Sequence, residues 1–155
     1  MISKYGCIAK IGFDIANSIS DVNAEFIENA PLLDGQFLLE EWGGCNQAYN
    51  LKNNLIGVIG HKAWGEMIDG VHMLHYYSIA FALDPFSRDY TPLKTICTRN
   101  AFPESETKNE RTRDVTFTSG IVRLENGICE LYTGLSDCEV GKIIIDDPFL
   151  ELENL

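Results

Sequence analysis

Along this chain apolar and polar residues alternate in short runs more often than they recur at helical spacing. The clearest runs stand in residues 113–145, RDVTFTSGIVRLENGICELYTGLSDCEVGKIII. Residues 115–124, 128–133 and 140–145 are rich in β-branched side chains, and turn signals separate them. Asn126-Gly127 takes the positive φ angles of a type I′ turn at low cost, the strongest short hairpin signal. Gly134-Leu135-Ser136-Asp137 turns the chain again. The pattern predicts a three-strand antiparallel meander with an acid at each end, Asp114 and Asp137.

The preceding chain reads the same way. Residues 6–13 form a short apolar run, expected as a strand. Ser18-Ile19-Ser20-Asp21 offers N-cap residues, and Val22, Phe26 and Ala30 follow at four-residue steps until Pro31. That stripe predicts one short helix near residues 20–30. Paired glycines after Trp42, in EWGGCN, indicate a bulge or a close backbone approach. Residues 47–51 and 55–61 predict a hairpin whose second strand has apolar or small residues on both faces, hence cover on both sides. Residues 62–70 read as a loop. Residues 71–83 are aromatic and β-prone, Asp84-Pro85 ends them, and residues 93–98 make a further short strand. Residues 100–113 are too polar to pack, and the last six residues read as an acidic tail. The expected fold class is all-β, about eight strands in two meanders, in one domain over residues 1–155. That spacing suits propeller blades or a sandwich.

Composition narrows the function classes. A net charge of −11 argues against nucleic-acid binding, which needs a basic surface. No run approaches 18 apolar residues, so no membrane span is expected, and the N-terminus lacks the apolar core of a signal peptide. The five cysteines (7, 45, 97, 129 and 138) have neither zinc spacing nor an even count, which favours a cytoplasmic setting. Cys129 and Cys138 read as small core residues. Serine-hydrolase, P-loop and dinucleotide fingerprints are absent.

Candidate chemistry rests on a few side chains. His61 and Lys62 read as a cationic pair at a strand end, able to hold a phosphate or a sugar hydroxyl, or simply bonded to backbone. His72-x-x-His75 resembles half a metal site, but three-residue spacing in a strand puts the rings on opposite faces. No third ligand stands at metal spacing, so no metal is expected. Asp114 and Asp137 are the carboxylate candidates for glycoside chemistry, which uses two carboxyls about the scissile bond. Capping a strand and bonding turn amides are their plain alternatives. Trp42, Trp64, Tyr76 and Tyr77 make either a sugar-stacking platform or core.

The segments EWGGCNQAYNL, NNLIGVIGHKA, YYSIAFALDP, TRNAFPE, RDVTFTSGIVRL, LYTGLSDCEVG and IIIDDPF, in this order, carry a resemblance. The chain resembles bacterial five-bladed β-propeller proteins catalogued as domain of unknown function 1861. That group is in turn similar to the mannoside phosphorylases and hydrolases of glycoside hydrolase family 130. The resemblance implies that His61 matches a phosphate-binding histidine and Asp137 an acid lining the sugar pocket. Cys45 and Asn46 stand near a mouth position, with ligand contact expected through Asn46, and Trp42 joins His61, Asp137 and Asn46 as a substrate-binding candidate. Asp114 matches less well.

A five-bladed propeller of four-stranded blades needs roughly twice this length. The resemblance covers what looks like a C-terminal half, two to three blades, and the family's proton-donating Asp has no counterpart here. The expectation is therefore a carbohydrate-active propeller portion that binds a glycoside or oligosaccharide, with no cofactor beyond inorganic phosphate as a co-substrate. Catalysis by this chain alone is not expected. An upstream half-chain, or self-association through exposed sheet edges, would supply what is missing. A non-enzymatic sugar-binding or interaction module, or an inactive remnant, stands as the alternative.

Overall fold

A computed structural model describes residues 10–154. The chain is all-β. Its seven-stranded sheet contains β1 (Trp42–Asn50), β2 (Ile56–Ile68), β3 (Val71–Leu83), β4 (Lys94–Cys97), β5 (Asp114–Arg123), β6 (Ile128–Leu135) and β7 (Glu139–Asp146). One short helix, α1 (Ala24–Asn29), precedes them.

The strands run β1-β2-β3-β5-β6-β7, with β4 added to β3. Within each meander all pairing is antiparallel. A parallel contact joins the meanders through two residue pairs, His75↔Asp114 and Tyr76↔Val115. Two threonines of β5 reinforce that narrow join. Thr116 Oγ1 donates to the Tyr76 carbonyl at 2.7 Å. Thr118 Oγ1 reaches the Gly60 carbonyl and Ser78 Oγ, both at 2.8 Å.

Apolar burial holds the meanders together. Ile59, Ala80 and Ala82 of the first pack with Ile121, Cys129 and Leu131 of the second, and Phe149 closes the cluster. A second cluster covers the first meander on its other side, where Ile11 and Leu33 meet Val58, Phe81 and Leu83. The middle of β2 is thus covered on both faces, as its apolar-on-both-faces pattern requires.

Most predicted strands stand within a residue or two of their expected bounds, and the differences have physical causes. The loop expected over residues 62–70 is strand as far as Ile68, and the turn is Asp69-Gly70, with φ of 49° and 82°. An Asp-Gly pair meets the type I′ requirement, so a tight hairpin replaces the loop. Asn126 and Gly127 turn at φ of 66° and 74°, as expected. The second meander turn is tighter than its four-residue signal. Gly134 and Leu135 belong to β6, and Ser136-Asp137 makes the turn. Ser18 caps a 3-10 turn, while Asn23 caps α1 through Phe26 N at 2.9 Å. The helix is short, and Val22 of the predicted apolar stripe is exposed, as is Ile27.

Of the strand expected over residues 6–13, residues 6–9 lie outside the described region, as does Cys7. Gly12 makes an isolated bridge to Leu32. Cys129 is buried, but Cys138 sits exposed beside the turn. The acidic tail is tied down: Arg123 grips Glu153 at 2.8 and 2.9 Å and Asp147 at 2.7 Å.

Candidate functional site

One row of the sheet organises the candidate residues. Trp42 pairs with Ala63, Ala63 with Tyr76 and Tyr76 with Val115. The Val115 carbonyl accepts the Ser136 amide at 2.9 Å, which brings in the β6–β7 turn. Two residues along β2, and so on the same face, His61 pairs with Gly44 across β1 and with Ser78 across β3.

His61 lies in an aromatic cradle. Its ring stacks on Tyr76 at 5.7 Å and leans on Phe117 at 4.8 Å. Trp42 meets Tyr76 edge-on at 5.9 Å and donates Nε1–H to the Tyr76 hydroxyl at 3.1 Å. The glycine pair makes room for this: a Cβ on Gly44 would lie 3.1 Å from His61 Cε1. The expected bulge falls between Cys45 and Gln47 and frees Asn46 from the ladder. Asn46 Oδ1 then reaches His61 Nδ1 at 2.9 Å.

That bond sets the chemistry. With Asn46 Oδ1 accepting, the proton of a neutral ring sits on Nδ1, and Nε2 presents a lone pair. Burial lowers the His61 pKa, favouring the neutral form. Nε2 makes no hydrogen bond among the described residues. It is suited to accept from a hydroxyl, and it donates to an anion only after taking up a proton.

Lys62 projects to the opposite side of β2, as consecutive strand residues must. It pairs with Glu41 at 2.9 Å and lies 5.7 Å from the Trp64 ring centroid. His61 lies within β2 rather than at its end, so the expected cationic pair does not form. The four candidate aromatics also divide between the faces. Tyr76 stacks on His61 and Trp42 packs on Tyr76, while Trp64 stacks on His75 at 4.8 Å and meets Tyr77 edge-on at 5.0 Å. A cavity of about 310 Å³ beside Lys62, lined by Gln36, Glu41 and Leu93, belongs to this second side.

Asp114 lies among these partners. Its Oδ2 takes His75 Nδ1 at 2.6 Å and the Tyr77 hydroxyl at 2.9 Å. Burial and then Asp114 push the Tyr77 phenol up to about 12. Glu66 Oε1 lies 3.1 Å from His75 Nε2 but out of hydrogen-bond alignment. Asp114 therefore clasps β3 to β5. His72 and His75 sit three residues apart on β3 and face opposite sides. No group of three potential metal ligands occurs among the described residues.

Asp137 stands exposed on the β6–β7 turn, with φ of 54°, and its carboxylate makes no hydrogen bond among the described residues. The structure thus brings Trp42, Asn46 and His61 together and ties the Asp137 turn to the same row of the sheet. Asp114 belongs to a different constellation.

A family described as "Protein of unknown function (DUF1861)" matches residues 2–151. The chain belongs to this family. Among solved structures, MPT-4, a mannose phosphorylase from Leishmania mexicana in complex with a phosphate ion, superposes with a TM-score of 0.89 at 39% identity. The match covers 97% of this chain and 47% of that one. MPT-1, a GDP-Man-dependent mannosyltransferase from the same organism, has a TM-score of 0.85 at 33% identity over 91% of this chain and 46% of its own. A hypothetical protein from Leishmania major has a TM-score of 0.81 at 43% identity, over 92% and 45% respectively. The chain thus spans about half the length of these structures. No curated protein matches. Among the described residues, no helix is long and apolar enough to cross a membrane.

Within this DUF1861 chain, sequence reasoning picked out His61, Asn46 and Trp42 but missed the ring that joins them. Tyr76 was visible only as one of several strand aromatics. Its partners depend on cross-strand register, which pairs it with Ala63 rather than with Trp64. Phe117, from the other meander, could not be assigned without knowing how β5 departs from β3. The His75–Asp114–Tyr77 cluster had one local signal, the alternation of His75 and Tyr77 on one side of a strand.

Proposed function

We propose that this DUF1861 chain is the sugar- and phosphate-binding portion of a mannoside-active fold. The 39% identity to a mannose phosphorylase over 97% of this chain carries the reading. The substrates are a mannose-containing glycoside and inorganic phosphate. Trp42 and Tyr76 offer aromatic faces to a sugar ring, a common mode of carbohydrate contact. His61, oriented by Asn46, belongs to the anion subsite, and Asp137 contacts sugar hydroxyls.

Catalysis by this chain alone forms no part of the proposal. The remaining walls of the site, with an acid to protonate the glycosidic oxygen, come from a segment corresponding to the part of MPT-4 that this chain does not match. Uncovered apolar surface supports this. Ile19, Leu38 and Leu39 are exposed ahead of β1, and Val140 and Ile144 on one face of β7. Soluble monomers rarely leave such groups bare without a partner.

The test is calorimetric titration of the folded chain with mannose, a manno-oligosaccharide and inorganic phosphate. Saturable heat with a sugar or with phosphate, reduced by His61→Ala or Asp137→Ala, is expected. A folded sample that gives heat with none of them sinks the reading. Sedimentation of the chain alone and with the co-expressed other half of MPT-4 tests the partner. A 1:1 complex is expected, and a stable dimer of this chain alone would favour self-association instead.

A further inference from the structure

Arg99 is a buried cation that the proposed site does not use. It is 8% exposed, yet no carboxylate pairs with it among the described residues. Its guanidinium is fixed by neutral acceptors. Nε donates to Ser136 Oγ at 3.1 Å, Nη2 to Ser105 Oγ at 2.9 Å, and Nη1 to the carbonyls of Pro103 and Phe102 at 2.9 and 3.3 Å. Burying a charge without an ion pair is costly, and the planar fork is used here as a brace between two segments.

Ser136 is what it braces. The Ser136 hydroxyl donates onward to the Arg113 carbonyl at 3.1 Å. Its amide donates to the Val115 carbonyl at 2.9 Å. Its carbonyl accepts the Lys108 amide at 3.1 Å and Thr112 Oγ1 at 3.2 Å. Every polar group of this residue is tied to residues 99–115, and the residue is buried.

Asp137 follows directly, and both residues are left-handed, at φ of 53° and 54°. The other two tight hairpin turns carry Gly70 and Gly127 at the second position, where glycine pays no Cβ penalty. The β6–β7 turn carries an aspartate there. A left-handed Asp is tolerated, but glycine is cheaper. The chain thus holds an exposed carboxylate on a backbone that favours glycine, and it clamps the preceding residue with a buried arginine.

We infer that Arg99 is a positioning residue. Through Ser136 it fixes the direction in which Asp137 presents its carboxylate to a hydroxylated ligand. The inference rests on the sugar-binding reading for its ligand, but its structural part stands apart from that reading.

Two measurements on the full chain separate them. In Arg99→Lys the charge remains and the fork is lost. Hydrogen exchange at the amides of Ser136 and Cys138 should quicken by about tenfold or more, while the β2–β3 amides keep their protection. Unchanged exchange at both amides overturns the inference whether or not any sugar binds. Where the chain binds mannose, Arg99→Lys should weaken it about tenfold, and Asp137→Asn by a similar factor. The double variant should be no weaker than Asp137→Asn alone, because Arg99 acts only through that carboxylate. Full additivity in the cycle overturns the inference. If Arg99→Lys does not fold, Ser136→Ala removes only the hydroxyl and is read in the same cycle. Wild-type chain that binds no sugar yet shows quickened turn exchange in Arg99→Lys refutes the ligand reading and leaves the brace established.

Discussion

The Asn46–His61 pair yields a prediction with a definite sign. With its proton on Nδ1, facing Asn46 Oδ1 at 2.9 Å, a neutral His61 offers only a lone pair at Nε2. An anion bound at Nε2 therefore requires the imidazolium. Burial lowers the His61 pKa, so in the free chain the ring is neutral at neutral pH. Anion binding must then carry a proton with it. Well above the His61 pKa, one proton taken up per anion makes the affinity rise about tenfold for each unit fall in pH. Sulfate is the right probe, because unlike phosphate it does not change its own charge in this range.

The assay is sulfate titration by calorimetry across about pH 5.5 to 8, repeated in two buffers of different ionisation enthalpy to count protons. Asn46→Leu removes the acceptor, frees the other tautomer and lets a neutral ring donate from Nε2. The variant should therefore bind sulfate with a weaker pH dependence. It should also lose affinity at low pH by roughly 2- to 12-fold, the worth of one hydrogen bond of about 0.5–1.5 kcal/mol. Mannose affinity should stay nearly flat with pH in both proteins. Sulfate binding that is independent of pH in the wild-type chain, or that strengthens as pH rises, would refute the tautomer argument.

Three further outcomes follow from the packing. Phe149 is fully buried where the meanders meet, so Phe149→Ala should cost about 3–5 kcal/mol in urea unfolding. Thr118→Val removes the hydroxyl that reaches Gly60 and Ser78 and should cost about 1–3 kcal/mol at nearly constant volume. A cost near zero would mean that the join between meanders rests on apolar contact alone. Because the His61 pKa is lower folded than unfolded, the unfolded chain binds the extra proton. Stability should thus fall as pH drops below the unfolded value of about 6.5, and His61→Gln should flatten that part of the profile if the imidazole is its source.

Local sequence determined the strands and most of the turns. Aromatic and β-branched runs marked β3, β5, β6 and β7, and Asn126-Gly127 placed a hairpin without help from the rest of the chain. These signals are legible because period-2 burial and positive-φ tolerance belong to single segments. Asp69-Gly70 carried the same signal, and it extends β2 through a stretch that its glycines and charges had marked as loop. Tertiary structure alone decided the partners. A one-residue shift in register would exchange Tyr76 for Tyr77 beside His61 and separate Trp42 from its hydroxyl acceptor. Asp114 and Asp137 stand alike in the hydrophobic pattern, an acid at each end of one meander, and only the family resemblance set Asp137 ahead. The two-pair parallel contact between β3 and β5 gave Asp114 to His75 and Tyr77 and left Asp137 exposed on a turn braced from beneath by Arg99. Such long-range pairings have no local signature, because they arise from how the two meanders share a single buried core.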